Sequence, residues 1–170
     1  MNSLKIVMLK ITSIAGNIFH DKKFDSLKDG DFECLKISRT ELEKNRIRRE
    51  TDKGTDVGLL LESGTILHNG DVLDSDGRMI VVEQMPEKVI AVRLKNDKNS
   101  AELPVLVGHI IGNMHRPISI EDNIIFFPIQ SDSELDVFEK LFADMIDEIE
   151  LSMEEKIFRA HTGANVHDHR

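Results

Sequence analysis

The texture of the chain changes near Gln84-Met85-Pro86, and one repeating pattern cannot account for both sides of that change. Before it, short apolar runs alternate with turn signals, and long helical periodicity is missing. Residues 4–11, 34–38 and 79–83 read as short strands. Residues 46–51 and 56–61 flank Asp52-Lys53-Gly54-Thr55, a hairpin signal because Asp and Gly tolerate left-handed backbone. His68-Asn69-Gly70-Asp71 and Asp74-Ser75-Asp76-Gly77 mark two further turns. Strands punctuated in this way predict a small all-β sandwich or barrel over residues 1–84.

Beyond the break, residues 88–94 form an alternating, β-branched run that reads as a strand. Ser100 stands where a helix cap is expected, and Pro104 falls close enough to the first turn to be tolerated. Leu103, Leu106, Val107, Ile110 and Ile111 recur at helical spacing, and Gly112-Asn113 supplies a stop. Residues 118–120 and 124–129 read as strands around Glu121-Asp122-Asn123. Ser131-Asp132-Ser133-Glu134 has capping-box form, and Leu135, Phe138, Leu141, Phe142, Met145, Ile146 and Ile149 give the helix an apolar stripe. Ile149, Leu151 and Met153 then alternate as a last strand. The order strand-helix-strand-strand-helix-strand predicts a ferredoxin-like domain over residues 85–158. The whole is an α+β chain that ends in a flexible, histidine-containing tail over residues 159–170.

Composition narrows the function. A formal net charge of −9 argues against nucleic acid, whose phosphates need a basic field, and suits a protein that attracts cations. Lone Cys34 leaves no Cys-x-x-Cys site and no disulfide framework within the chain. Lys5 and Lys10 interrupt the first apolar run, so no signal peptide is expected, and no stretch approaches the roughly 20 apolar residues of a membrane span. A cytoplasmic protein is expected.

Against this background the histidines stand out. His115 sits between a helix stop and Pro117, where a constrained backbone would fix the orientation of its imidazole. His161, His167 and His169 concentrate in the tail, where they are either solvated surface residues or loose metal ligands. His20, His68 and His109 lie near turns or off the apolar stripe and read as surface residues. One fixed histidine cannot make a site, but a two-fold dimer would supply two. Imidazole without thiolate favours Ni(II) or Cu(II) over structural zinc. An enzyme is not expected: there is no His-Glu-x-x-His helix, Gly-x-Ser-x-Gly elbow or Walker loop. Glu121 and Asp122 read as a solvated turn. In the basic run from Lys44 to Arg49, Arg46 and Arg48 share one strand face, either simply exposed or docking a partner.

Several segments, in order, carry a resemblance to the UreE family of urease accessory nickel metallochaperones. They are Arg46-Ile47-Arg48-Arg49-Glu50-Thr51 with Asp52-Lys53-Gly54, then Val57-Gly58-Leu59-Leu60-Leu61 and Leu67-His68-Asn69-Gly70-Asp71-Val72-Leu73. Pro86-Glu87-Lys88-Val89-Ile90-Ala91-Val92 follows, and Gly112-Asn113-Met114-His115-Arg116-Pro117 matches the family's Gly-Asn-x-His-x-Pro segment. Gly163-Ala164 with the tail histidines completes the series.

The resemblance implies an N-terminal β domain related to chaperone peptide-binding domains and a ferredoxin-like metal domain. It implies a homodimer through the C-terminal domain, with His115 of each copy at a shared Ni(II) site. His167 and His169, and His161 after them, would assist. Ni(II) would be cargo, with Zn(II) or Cu(II) also able to bind in vitro. The partners implied are the urease accessory GTPase and the maturation complex of urease apoprotein. The chain departs from its relatives where Met114 replaces a common arginine, with Arg116 two residues on. Phe126-Phe127-Pro128-Ile129 carries none of the histidines some relatives have there, and the tail is short. A nickel or zinc buffer without a client, and an interaction module with incidental histidines, stay open as alternatives.

Overall fold

The computed structural model describes residues 7–27, 32–75, 77–95 and 101–161, and the chain divides into two compact units, Met1–Met85 and Pro86–Arg170. Several expectations fall outside the described residues: the strand residues 4–6, the cap at Ser100, the turn residue Asp76, and the tail from 162 onward with His167 and His169.

The N-terminal unit holds two sheets around one apolar cluster. Strands β1 (Leu9–Ile11), β4 (Arg46–Glu50) and β5 (Asp56–Leu60) form the first, in the order β1-β5-β4. The expected hairpin joins β4 to β5, with Gly54 at φ +82° and the Thr51 N–H donating to Thr55 O at 2.9 Å. Strands β2 (Ile14–Asn17), β3 (Glu33–Ile37), β6 (Asp71–Ser75) and β7 (Arg78–Gln84) form the second, in the order β2-β6-β7-β3. Val57 and Leu59 of β5 meet Leu35, Ile37, Ile80 and Val82 across the gap. Val72 and Val81 point the other way, under Phe24 of a 3-10 turn over Lys22–Leu27. Burial on both faces explains why the central strand reads as the continuous run Ile80-Val81-Val82 rather than an alternation.

Three features differ from expectation here. Strands β2 and β6 and the one-turn helix α1 (Arg39–Leu42) were not expected, being four or five residues long. Strand β3 begins at Glu33 and ends at Ile37, because Ser38 turns outward as the cap of α1. Finally, β1 with β5 and β3 with β7 run parallel, a pairing that leaves no local mark on sequence.

The C-terminal unit follows the order β8 (Glu87–Leu94), α2 (Glu102–Asn113), β9 (Ser119–Glu121), β10 (Ile124–Pro128), α3 (Glu134–Leu141), β11 (Ile149–Lys156). Its single sheet runs β11-β8-β10-β9, antiparallel throughout. Val107 and Ile111 of α2 and Phe138 of α3 pack on one face, against Ile90, Val92 and Phe127. Asp122 (φ +48°) and Asn123 (φ +63°) make the two-residue turn between β9 and β10, a type I′ geometry that short polar side chains accept.

Corrections apply to this unit as well. Helix α2 has Ala101 at its cap position, and it runs through Gly112-Asn113 to a cap at Met114. The stop is therefore the left-handed residue that follows, not the glycine. Leu106, expected on the buried stripe, is 43% exposed. Helix α3 ends at Leu141, and a 3-10 turn (Ala143–Met145) leads into β11. The apolar spacing continues past the helix because Met145 and Ile149 reach the same core from a turn and a strand. After β11, Phe158 (1% exposed) covers the second face of the sheet over Val89, Ala91 and Phe126. The His161 N–H then donates to Ile118 O at 2.7 Å, so residues 159–161, expected in a loose tail, begin pinned to the domain.

Candidate metal centre

His115 is built by the end of α2. Met114 caps the helix, the His115 N–H donates to Gly112 O at 2.9 Å, and the Arg116 N–H reaches back to Ile111 O at 3.3 Å. These two bonds form a Schellman motif, whose first residue beyond the cap must adopt left-handed backbone. That residue is His115, at φ +53°. Glycine takes this conformation without steric penalty, whereas a residue with a Cβ does so at about 1 kcal/mol or more. The His115 side chain is exposed, and Pro117 follows to prevent the helix from resuming.

Around it the described histidines are dispersed. His109 lies on the exposed side of α2, its Nε2 3.1 Å from Asn113 Nδ2. His161 is held through its backbone at Ile118, three residues along from His115, with its side chain exposed. Among the described residues no three His, Cys, Asp or Glu side chains come together as a metal group. In the described part of one chain, His115 therefore has a defined backbone but belongs to no cluster of ligand-type side chains. His20 and His68 are exposed, as expected.

The other candidates resolve into structural roles. Glu121 accepts from Lys156 Nζ at 2.6 Å, and that hydrogen bond holds its carboxyl below the ordinary range. Asp122 makes the turn. Arg48 forks onto Asp56, Nε to Oδ1 at 3.1 Å and a terminal nitrogen to Oδ2 at 2.8 Å, lowering the Asp56 carboxyl by direct hydrogen bonding. Arg46, Arg48 and Lys10 rim a shallow apolar hollow of about 370 Å³ over Gly58 and Leu60, partly filled by Met8. Cys34 is a free thiol, pushed up by burial and by the Asp52 and Glu83 charges, which disfavours its thiolate.

Two features were missed from sequence. One is the outer face of α2. Val105 is 65% and Leu106 43% exposed, and a Cβ added at Gly108 or Gly112 would meet nothing within 4 Å. The signal was available, because the helix carries one charged residue, Glu102, and is apolar nearly all round. The other is an ion pair between Arg116 and Glu134, at 2.6 Å, which joins the His115 turn to the start of α3.

Residues 11–84 match the family model described as the N-terminal domain of the UreE urease accessory protein. The chain is 29% identical over 131 residues to the urease accessory protein UreE of Yersinia pestis (strain Pestoides F), covering 72% of this chain and 57% of the relative. The UreE of Yersinia pseudotuberculosis (serotype O:1b, strain IP 31758) matches with the same identity and coverage. The chain spans a little over half the length of these relatives, 57%. The N-terminal domain match and the 131-residue alignment agree in their direction: the chain is similar to urease accessory proteins of the UreE family.

Proposed function

We propose that this chain is a cytoplasmic nickel metallochaperone, not an enzyme, that carries Ni(II) for assembly of the urease active site. The observation that carries the proposal is the identity of residue 115. A helix end that glycine would occupy without penalty holds an exposed imidazole instead, and strain of this kind accumulates where a side chain is used. The carboxyl end of a helix also favours a nearby cation.

One imidazole does not hold a metal, so a second copy is part of the proposal. The C-terminal unit, with helices on one side of an antiparallel βαββαβ sheet, is read as ferredoxin-like over residues 85–158. It dimerises through the outer face of α2, where Val105 and Leu106 are exposed and the glycines permit close approach. Each copy brings His115 to the shared site. His161, and His167 and His169 in the tail over 159–170, complete the coordination and are displaced in turn by the recipient. The pinning of His161 beside Ile118 supports this, since it starts the tail close to the His115 segment. The N-terminal unit, residues 1–84, positions the partner: the urease accessory GTPase with the urease apoprotein.

A Ni(II) calorimetric titration of the intact chain and a His115→Ala variant tests the proposal. One tight nickel per two chains is expected, and its loss in the variant. Equal nickel binding by both proteins would refute it.

A further inference from the structure

A left-handed residue with a Cβ persists only when its surroundings hold it. Two backbone bonds close the end of α2, but the same bonds form in helix ends that fray readily. What distinguishes this end is the next side chain. The Arg116 guanidinium crosses to α3, where a terminal nitrogen lies 2.6 Å from Glu134 Oε2. The other oxygen of that carboxylate accepts from the Gln130 N–H at 2.7 Å and the Ser131 N–H at 3.3 Å. Glu134 is therefore fixed by two backbone donors before Arg116 reaches it. The pair is largely sheltered, at 21% and 18% side-chain exposure.

As a source of stability this arrangement is poor. Arg116 Nε is buried without a hydrogen-bond partner among the described residues, because Glu134 has committed its second oxygen to the start of α3. An unsatisfied buried donor is unfavourable, and a sheltered ion pair is at best comparable with an apolar contact. What the pair does accomplish is geometric. Arg116 is the residue directly after His115, so anchoring its guanidinium to α3 fixes the peptide that leaves the left-handed position. Without that anchor, residue 115 is free to relax to right-handed backbone, and its imidazole would swing around the helix axis.

We propose that Arg116 is a positioning residue for His115: through Glu134 it locks the left-handed turn and so orients the imidazole before metal arrives. This rests on His115 being a nickel ligand, and the test separates the two ideas. Nickel titrations of the full chain would compare Arg116→Gln, Arg116→Lys, Glu134→Gln, the Arg116→Gln/Glu134→Gln double variant and His115→Ala. The His115 Cα and Cβ NMR shifts, which report φ, would be recorded without metal. Arg116→Gln should weaken nickel binding about tenfold, as loss of a group that orients a ligand typically does. Glu134→Gln should cost a similar factor, the double variant no more than either single one, and Arg116→Lys less. The His115 shifts should move away from left-handed values in each weakened variant. A folded Arg116→Gln or Glu134→Gln protein with unchanged nickel affinity and unchanged His115 shifts would overturn the proposal. Failure of the unaltered chain to bind nickel, or equal binding by His115→Ala, would instead overturn the metal assignment, and with it the purpose of the lock.

Discussion

Two turns of the C-terminal unit put residues other than glycine into left-handed backbone, and they do so for different reasons. Between β9 and β10, Asp122 and Asn123 close a two-residue hairpin. Short polar side chains suit that turn, so local chemistry alone accounts for it. At the end of α2, His115 adopts a similar φ with a bulky ring, two backbone bonds and a neighbour clamped to another helix. The first turn is a connection. The second holds an unfavourable conformation in place.

The largest effect that would bear on this contrast comes from the face beside the second turn. Val105→Glu places a charge on the exposed apolar side of α2 and should convert the proposed dimer to monomer in sedimentation velocity, removing the proposed shared nickel binding with it. A dimer that survives would move the interface elsewhere and leave His115 without its counterpart. A smaller effect is expected in the hairpin. Asn123→Ala should destabilise the fold by about 1 kcal/mol, read by urea denaturation, whereas Asn123→Gly should be close to neutral. If alanine is tolerated equally well, the β9–β10 turn is not held by local chemistry.

The smallest effect concerns the ion pair that flanks that hairpin. The Lys156 hydrogen bond depresses the Glu121 carboxyl, so its contribution to stability is present above the ordinary carboxylate range near pH 4.3. That contribution is lost as pH falls through the lower folded value. Lys156→Met should therefore flatten the acid side of the stability profile slightly and leave neutral-pH nickel binding unchanged. The lysine also lies 3.8 Å over the Phe126 ring, and methionine keeps that contact apolar.

Much of this molecule was legible in sequence wherever a local rule sufficed. The β4–β5 hairpin announced itself through Asp52-Lys53-Gly54, and the βαββαβ order through its periodicities. His115 was visible as a histidine trapped between a helix end and Pro117. Its left-handed backbone was not, because Gly112-Asn113 offered a more conventional stop that the helix ran past. Features that depend on distant partners were also hidden. The parallel pairings of β1 with β5 and β3 with β7, Phe158 folding back over the sheet, and Arg116 meeting Glu134 leave no spacing to read. Gly16 obscured β2, where positive φ (+151°) and a register shift interrupt the strand pattern.

The central claim is that His115 is retained for its imidazole and against its backbone, and the substitution that separates these is His115→Gly. Urea denaturation and Ni(II) titration on the same preparation would read both terms. We expect the glycine protein to be more stable by about 1 kcal/mol and to have lost tight nickel binding. A glycine protein that is less stable, or that binds nickel as the unaltered chain does, would contradict the claim.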